Sequence, residues 1–596
     1  MSRFELDEAW RLHRAGEHDR AEKLYLNVIR ADPRNYEAHH RLAFLHGQRG
    51  RWEDAERVMA RAIELNPGAA DALFLRGAAL QKLHRHEEAA GCFGRALALN
   101  PGFAEALLNR AASLYRLRRY EDAGDDYSRL IEIDPDYPFA RGNRLFCRLQ
   151  TCDWRSLAGE SAAIVEAMKA GRRVIAPFDA KALFLTPEDE LACARIWAAD
   201  QHPGPSPVCT PQRHSRPAIR VAYVSADFRE GPLATLMTSV FERHDQHKIE
   251  TIGVSLGADD GSAARHRLQK AFGRFIDLHD KSDAEITSLL RQMQIDIAVD
   301  LMGYTEGGRP GIFKQRPAPI QVNYLGCPGT VGADWLDYLI ADRAVVPEGE
   351  RHFYSEKLVY LPDTYLPRDT ACRPSAVRPT RADEGLPETG FVFASFNNTY
   401  KLNPVMFDIW MRLLRAVEGS VLWLPASNPA AMGILTREAI ARGVAPERIV
   451  FARFKKESEH HLARVQLADL FLDTLPYNAH TTASDALWAG VPVLTCVGKT
   501  FAGRVAASLL RSLELPDLIT ETLADYEAAA LRLAADPEAL GAIRQTLERH
   551  RMARPTFDEA RFARHLETAF RSMWERWRRG DAPESFRVPA LESEVP

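Results

Sequence analysis

Four prolines spaced 34 residues apart, Pro33, Pro67, Pro101 and Pro135, cut the first 135 residues into units of equal length. Each follows an Asp or Asn, a pair that stops a helix and turns the chain. Twelve residues before each proline stands an alanine (Ala21, Ala55, Ala89, Ala123), and four residues after each alanine comes Tyr25, Met59, Phe93 or Tyr127. Four residues is about one helical turn, so the small and the large side chain share a face. The alanine lets a neighbouring helix approach and the bulky residue fills the gap beside it. A repeat of this length cannot wrap around one central core and predicts a solenoid of stacked helix pairs.

The period and its residues are those of tetratricopeptide repeats. Asp134-Pro135 opens a partial unit from Pro138 to about Gln150 that is expected to cap an array over residues 1–150. Such arrays present a concave groove, so this one is expected to dock a polypeptide, with a spacer or dimerisation arm as the alternative. Arg41, Arg76 and Arg110, at similar places in successive repeats, are candidates to line the groove.

Periodicity changes after the array. Residues 151–217 read as a helical stretch ending in a proline-rich linker, Pro203 to Pro217, and Ile219 to Ser225 (IRVAYVS) reads as a buried strand. Helical stretches at Leu236 to Arg243, Ala264 to Ala271 and Asp283 to Gln294 then alternate with short apolar runs at Ile249 to Val254, Phe275 to Leu278 and Ile295 to Leu301. Alternation of this kind predicts a parallel α/β sheet, and a second unit of the same type follows from about Gly390 to Leu518. The expected layout is therefore an all-α solenoid, then an N-terminal Rossmann-like lobe over 218–345, a C-terminal one over 346–580 and a tail over 581–596. Neither lobe carries G-x-G-x-x-G, and Gly498-Lys499-Thr500 has Val493 where a P-loop needs its first glycine.

At 596 residues the chain needs several cores, and its net charge of −4, with no basic stripe, gives no nucleic-acid footprint. Eight cysteines without a C-x-x-C pair speak against a zinc site or a disulfide framework and for a reducing compartment. No apolar run approaches the roughly 18 residues of a membrane span, and the start MSRFELDEAW lacks a basic region followed by an apolar one. The chain reads as cytoplasmic, without a membrane partner.

Two strand-to-helix junctions in the second lobe carry the chemistry. Between apolar runs at Ala468 to Leu475 and Val491 to Val497, a helix is expected to start near Thr481 and stop at Gly490, with His480-Thr481-Thr482 at its N-terminus. Free amides and the positive dipole end there suit a diphosphate; an ordinary capped core helix is the alternative. In the other junction, Phe391 to Phe396 leads through a polar loop to Asn403-Pro404, a cap and first-turn proline, and places Lys401 as a point charge at the same crevice.

The chain resembles the tetratricopeptide-containing protein O-glycosyltransferases, the O-GlcNAc transferase family with a GT-B fold, in its bacterial form. The match is carried by Asp227-Phe228, MGYTEGGRP from Met302, RPAPIQVNYLGCPGTVGADWLDY from Arg316, FNNTYKLNP from Phe396, QLADLFLDTLPYNAHTTASDALWAG from Gln466 and RVAAS from Arg504. The resemblance implies an inverting, metal-independent transfer of sugar from a nucleotide donor, UDP-GlcNAc by default, to Ser or Thr of a protein held by the repeats. It implies that Lys401 and Asn398 contact the diphosphate together with His480, Thr481 and Thr482, that Asp485 binds the ribose, and that His461 and Arg464 contact the nucleobase. Gly326, Pro328 and Gly329 would wall the sugar.

Departures fall on the acceptor side. Gly231 and Thr235 stand where the family carries histidines, which leaves Asp227, Glu230 and Asp300 as candidate bases, Asp300 being also readable as a structural carboxylate. Asp7, Arg41, Leu75 and Asn109 stand where the family's groove carries asparagines. The altered loop leaves room for a CMP-activated nonulosonic acid and a flagellin acceptor. A scaffold with a lapsed transferase unit is the rival from another class.

Overall fold

The computed structural model describes residues 2–207, 216–553 and 555–591. The middle of the proline-rich linker, 208–215, and the end of the tail, 592–596, lie outside the described residues. The chain forms two compact units, Met1–Thr151 and Cys152–Pro596.

In the first unit the helices pair as Ser2–Arg14 with His18–Ala31, Tyr36–Gln48 with Trp52–Leu65, Ala70–Lys82 with His86–Leu99, and Ala104–Arg116 with Tyr120–Ile133, and Ala140–Gln150 closes the run. The four spaced prolines fall in the turns after each pair. Tyr25, Met59, Phe93 and Tyr127 are buried, as are the alanines one turn before them. Phe93 presses so closely on the Ala70–Lys82 helix that a Cβ at Gly77 would lie 2.6 Å from its ring. The three repeat arginines are bound within the array. Arg41 reaches Glu37 at 2.6 Å and lies over the Trp10 ring, Arg76 reaches Glu56 at 2.7 Å, and Arg110 reaches Asp126 at 2.7 Å. Their charge is matched by carboxylates of the array itself.

The second unit holds two parallel sheets. The first contains β1 (Ile219–Ser225), β2 (Ile249–Ser255), β3 (Arg274–Asp277), β4 (Ile297–Asp300), β5 (Ile320–Asn323), β6 (Tyr338–Ala341) and β7 (Lys357–Tyr360). The second contains β8 (Val392–Ala394), β9 (Val421–Pro425), β10 (Ile449–Ala452), β11 (Leu470–Leu472), β12 (Val493–Cys496) and β13 (Ile519–Thr520), and β14 (Phe586–Arg587) returns to the first. Their orders are β14-β7-β6-β5-β4-β1-β2-β3 and β10-β9-β8-β11-β12-β13. Strands such as β1 and β4 are apolar at almost every position because helices cover both faces of such a sheet. Each order reverses once, between β1 and β4 and between β8 and β11. Those two reversals open a crevice at the carboxyl ends, where doubly wound sheets take ligands. Two lobes of this kind make a GT-B fold.

Four expected assignments are corrected. β7 lies inside the range assigned to the second lobe, yet it pairs with β6 from Tyr338↔Lys357 to Ala341↔Tyr360 and belongs to the first. The long helix Glu559–Arg579 likewise returns to the first lobe. Glu567 accepts from the Asp245 amide at 2.8 Å and Phe570 packs on Tyr223 of β1. The expected tail supplies β14 at the sheet edge, Phe586 pairing with Val359. Finally, the stretch from Cys152 is part of the second unit, with Trp154 donating to the Leu402 carbonyl at 3.2 Å.

Candidate active site

The loop leaving β8 and the loop leaving β11 are tied together side chain by side chain. Asp473, directly after β11, accepts from the amides of Thr474 (2.7 Å) and Ala479 (2.6 Å) and from the Thr495 hydroxyl (2.6 Å), which curls residues 474–479 into a tight turn. Asn397, on the β8 side, donates to the Thr474 hydroxyl at 3.1 Å and accepts from Thr482 at 2.9 Å. Through this frame the Asn478 carbonyl points at Lys401, whose Nζ donates to it at 2.8 Å. The ammonium also lies 3.9 Å from the centre of the Tyr477 ring. Burial pushes Lys401 down to about 7 against the field of Asp473, and burial pushes Asp473 up to about 7.

Asn403 caps the helix Pro404–Ala416 by accepting from the Met406 amide at 3.2 Å, which fixes where the Lys401 turn ends. The second helix runs Thr481–Ala489 and ends at Gly490, in the left-handed region at φ 86°. No side chain caps its N-terminus, so its first amides have no partner within the helix. Its N-cap residue, His480, bonds through Nε2 to the Ala502 carbonyl at 3.1 Å. Burial, reinforced by the Lys401 cation, holds this imidazole well below its usual range. As a neutral ring it has one N–H, which the Ala502 carbonyl takes. Thr481 stands half-buried at the helix start, and Asn398, exposed, donates to the Tyr400 hydroxyl at 3.5 Å.

One turn into the helix, Asp485 accepts from Arg368 Nη1 at 2.5 Å. Arg368 is 1% exposed, and among the described residues its Nε and Nη2 have no hydrogen-bond partner. The carboxylate expected at the ribose therefore also holds a buried guanidinium. His461 stands edge-on to Phe396 at 5.4 Å and accepts through Nδ1 from Arg464 at 3.2 Å. Arg464 is itself buried, bonded to the Arg453 carbonyl and 3.7 Å from Glu384. Its guanidinium thereby braces the His461 ring.

Across the crevice, Gly326 is pressed against Met302, where a Cβ would lie 2.4 Å from backbone atoms. Gly329, at φ 139°, sits over Lys181, whose Nζ would lie 2.6 Å from an added Cβ. Pro328 is buried between them. The candidate bases are already engaged. Asp227 pairs with Arg229 at 3.1 Å, Glu230 accepts from Ser458 of the opposite lobe at 3.2 Å, and Asp300 accepts from the amides of Met302 and Gly303 at 2.9 and 3.0 Å. Asp300 is buried, which pushes it up to about 6, and it serves as the cap of the turn after β4. This is the arrangement expected of a structural carboxylate, the alternative reading of Asp300.

Sequence patterns missed Asn397, Asp473, Tyr477, Asn478 and Arg368. Asn397 and Asp473 each follow a strand of the switch point, and that position is the signal that could have found them.

Two facing switch points, one carrying a buried lysine beneath an uncapped helix N-terminus, define a GT-B protein. A family model described as glycosyl transferase family 41 matches residues 202–373 and 369–566, and tetratricopeptide repeat models match 12–79 and 76–138. The chain belongs to glycosyl transferase family 41. It is 37% identical over 441 residues, 71% of this chain and 45% of the relative, to the probable UDP-N-acetylglucosamine–peptide N-acetylglucosaminyltransferase SEC of Arabidopsis thaliana. It is 27% identical over 474 residues, 61% of this chain and 41% of the relative, to the UDP-N-acetylglucosamine–peptide N-acetylglucosaminyltransferase of Caenorhabditis elegans. The chain thus spans less than half the length of these two curated relatives. Among solved structures, a mutant O-GlcNAc transferase of Thermobaculum terrenum superposes with a TM-score of 0.67 at 29% identity, covering 90% of this chain and 97% of that one. Among the described residues no helix is long and apolar enough to cross a membrane.

Proposed function

We propose that the protein transfers N-acetylglucosamine from UDP-N-acetylglucosamine to Ser or Thr hydroxyls of a protein acceptor, with inversion at the anomeric carbon, and that the helical repeats bind the acceptor. The observation that carries this reading is the Lys401 ammonium. It is buried, met by one carbonyl and one ring face, and tied by the Asn397–Thr482 bond to the loop system of the uncapped helix. A charge so placed is under-compensated until an anion arrives. The diphosphate would take its bonds from Lys401, the Thr481 and Thr482 amides and the Thr481 hydroxyl, and the uridine would lie against His461.

Transfer then breaks the bond between the anomeric carbon and the diphosphate as the acceptor oxygen attacks from the other side. The electron pair leaves with the phosphate, where Lys401 and the helix amides meet it without a metal ion. The donor follows from the names of the plant and nematode relatives and from the near-complete coverage of the bacterial transferase. A cytoplasmic setting fits seven cysteines without a disulfide among the described residues. UDP release from UDP-N-acetylglucosamine, with and without a candidate acceptor, tests the reading. Wild-type protein that neither binds UDP nor releases it contradicts it.

A further inference from the structure

The three acidic side chains on the first-lobe face of the crevice all have partners, and a fourth carboxylate, carried by neither sheet, has none. Asp179 belongs to the short helix Pro177–Ala180 in the segment between Cys152 and the first strand. Residues within two positions on either side of it are anchored to the site. The Phe178 ring stands 5.9 Å from Tyr400 and 6.4 Å from Tyr477, the rings beside Lys401. On the other side, Lys181 pairs with Glu190 at 2.9 Å directly under Gly329 of the sugar wall. Asp179 is thereby held between that wall and the Tyr400 turn. Its carboxyl has no hydrogen-bond or ion-pair partner among the described residues, yet its oxygens are not sealed from solvent.

We propose that Asp179 is the general base of the transfer, its carboxylate taking the proton of the acceptor hydroxyl as that oxygen bonds to the anomeric carbon and the bond to the diphosphate breaks. The electron pair leaves with the nucleotide, and the proton passes from Asp179 to solvent through the crevice. This assignment rests on the glycosyltransferase reading.

The surroundings suit the role. Burial pushes Asp179 up to about 7, so that near neutrality it is divided between acid and carboxylate, where a general base is most effective. The groups whose titration feels its charge stay neutral: Tyr400 and Cys193, pushed up to about 12, and Cys327, to about 11. The nearby cation, Lys181, is neutralised by Glu190. Among the described residues no cation pairs with Asp179, whereas Asp227 pairs with Arg229.

The test follows UDP release from saturating UDP-N-acetylglucosamine, with water as acceptor, for wild type, Asp179→Asn and Asp179→Glu between about pH 5.5 and about pH 9. Bound phosphate keeps Lys401 protonated, so kcat should rise with pH through a single limb near 7. Asp179→Asn should bind UDP within about threefold of wild type, which also reports that it folds, while kcat falls about 10²- to 10⁴-fold and the limb disappears. Asp179→Glu should recover part of the rate together with a limb. An asparagine variant that releases UDP within about threefold of wild type, with the limb in place, overturns the base assignment and leaves the transferase reading standing. Wild type that neither binds UDP nor turns over the donor overturns both.

Discussion

The Lys401 Nζ and the Asn478 carbonyl oxygen lie 2.8 Å apart and join the two loops that leave β8 and β11. A carbonyl satisfies one N–H of an ammonium but returns only a fraction of a charge. Asp473 supplies the nearest opposing field and spends its oxygens on two amides and a hydroxyl. The lysine is therefore placed for an anion before the anion is there, and the cost of ordering it is met in folding rather than in binding.

This geometry sets a pH dependence. Burial lowers Lys401 to about 7 in the free protein, and a bound diphosphate raises it again. Protonated lysine binds, so UDP affinity should be constant below about pH 7 and fall about tenfold per unit above it until the raised value is reached. Calorimetry in buffers of different ionisation enthalpy checks this, since binding near pH 8 should take up a proton. Lys401→Met should bind weakly with no such slope.

Asp485 has a structural task beside the one proposed for it at the ribose, and it is visible as stability. Its partner Arg368 is almost wholly buried and has two nitrogens, Nε and Nη2, without acceptors among the described residues. Asp485→Asn removes the one charge that balances it, and breaking a buried pair in this way costs about 3–5 kcal/mol. Denaturant unfolding of the variant should show that loss, whereas replacing both members with apolar residues of similar volume should restore most of it.

The repeat array should respond to its spacing residues. Phe93 is fully buried against Gly77, and Phe93→Ala leaves a cavity worth about 3–5 kcal/mol. Gly77→Ala should also destabilise, because its methyl would stand 2.6 Å from the ring. Helix melting followed by circular dichroism measures both, and UDP binding by either variant should stay unchanged.

Local signals made part of the site legible. Asn403-Pro404 is a cap and a first-turn proline that any sequence context would read as a helix start, and Gly490 marks a stop, so both junctions could be placed within a residue or two. The 34-residue period did the same for the array. What escaped depends on distance in the chain. β7 and β14 are four and two residues long, and nothing in so short a run says which sheet it will join. Asn397 and Asp473 look like ordinary loop residues until β8 and β11 are paired. Asp179 acquires its surroundings from Tyr400 and Cys327, more than a hundred residues away. The bond from Arg464 to His461 is likewise invisible until the Ser458–Val465 helix is placed beside β8.

The central claim is that Lys401, beneath the His480 helix, receives the leaving diphosphate. The most direct measurement compares UDP release from UDP-N-acetylglucosamine by wild type and Lys401→Met at about pH 7, alongside UDP affinity. Loss of a preorganised charge at the leaving group should lower kcat about 10²- to 10³-fold. A Lys401→Met protein that releases UDP at the wild-type rate would contradict the account.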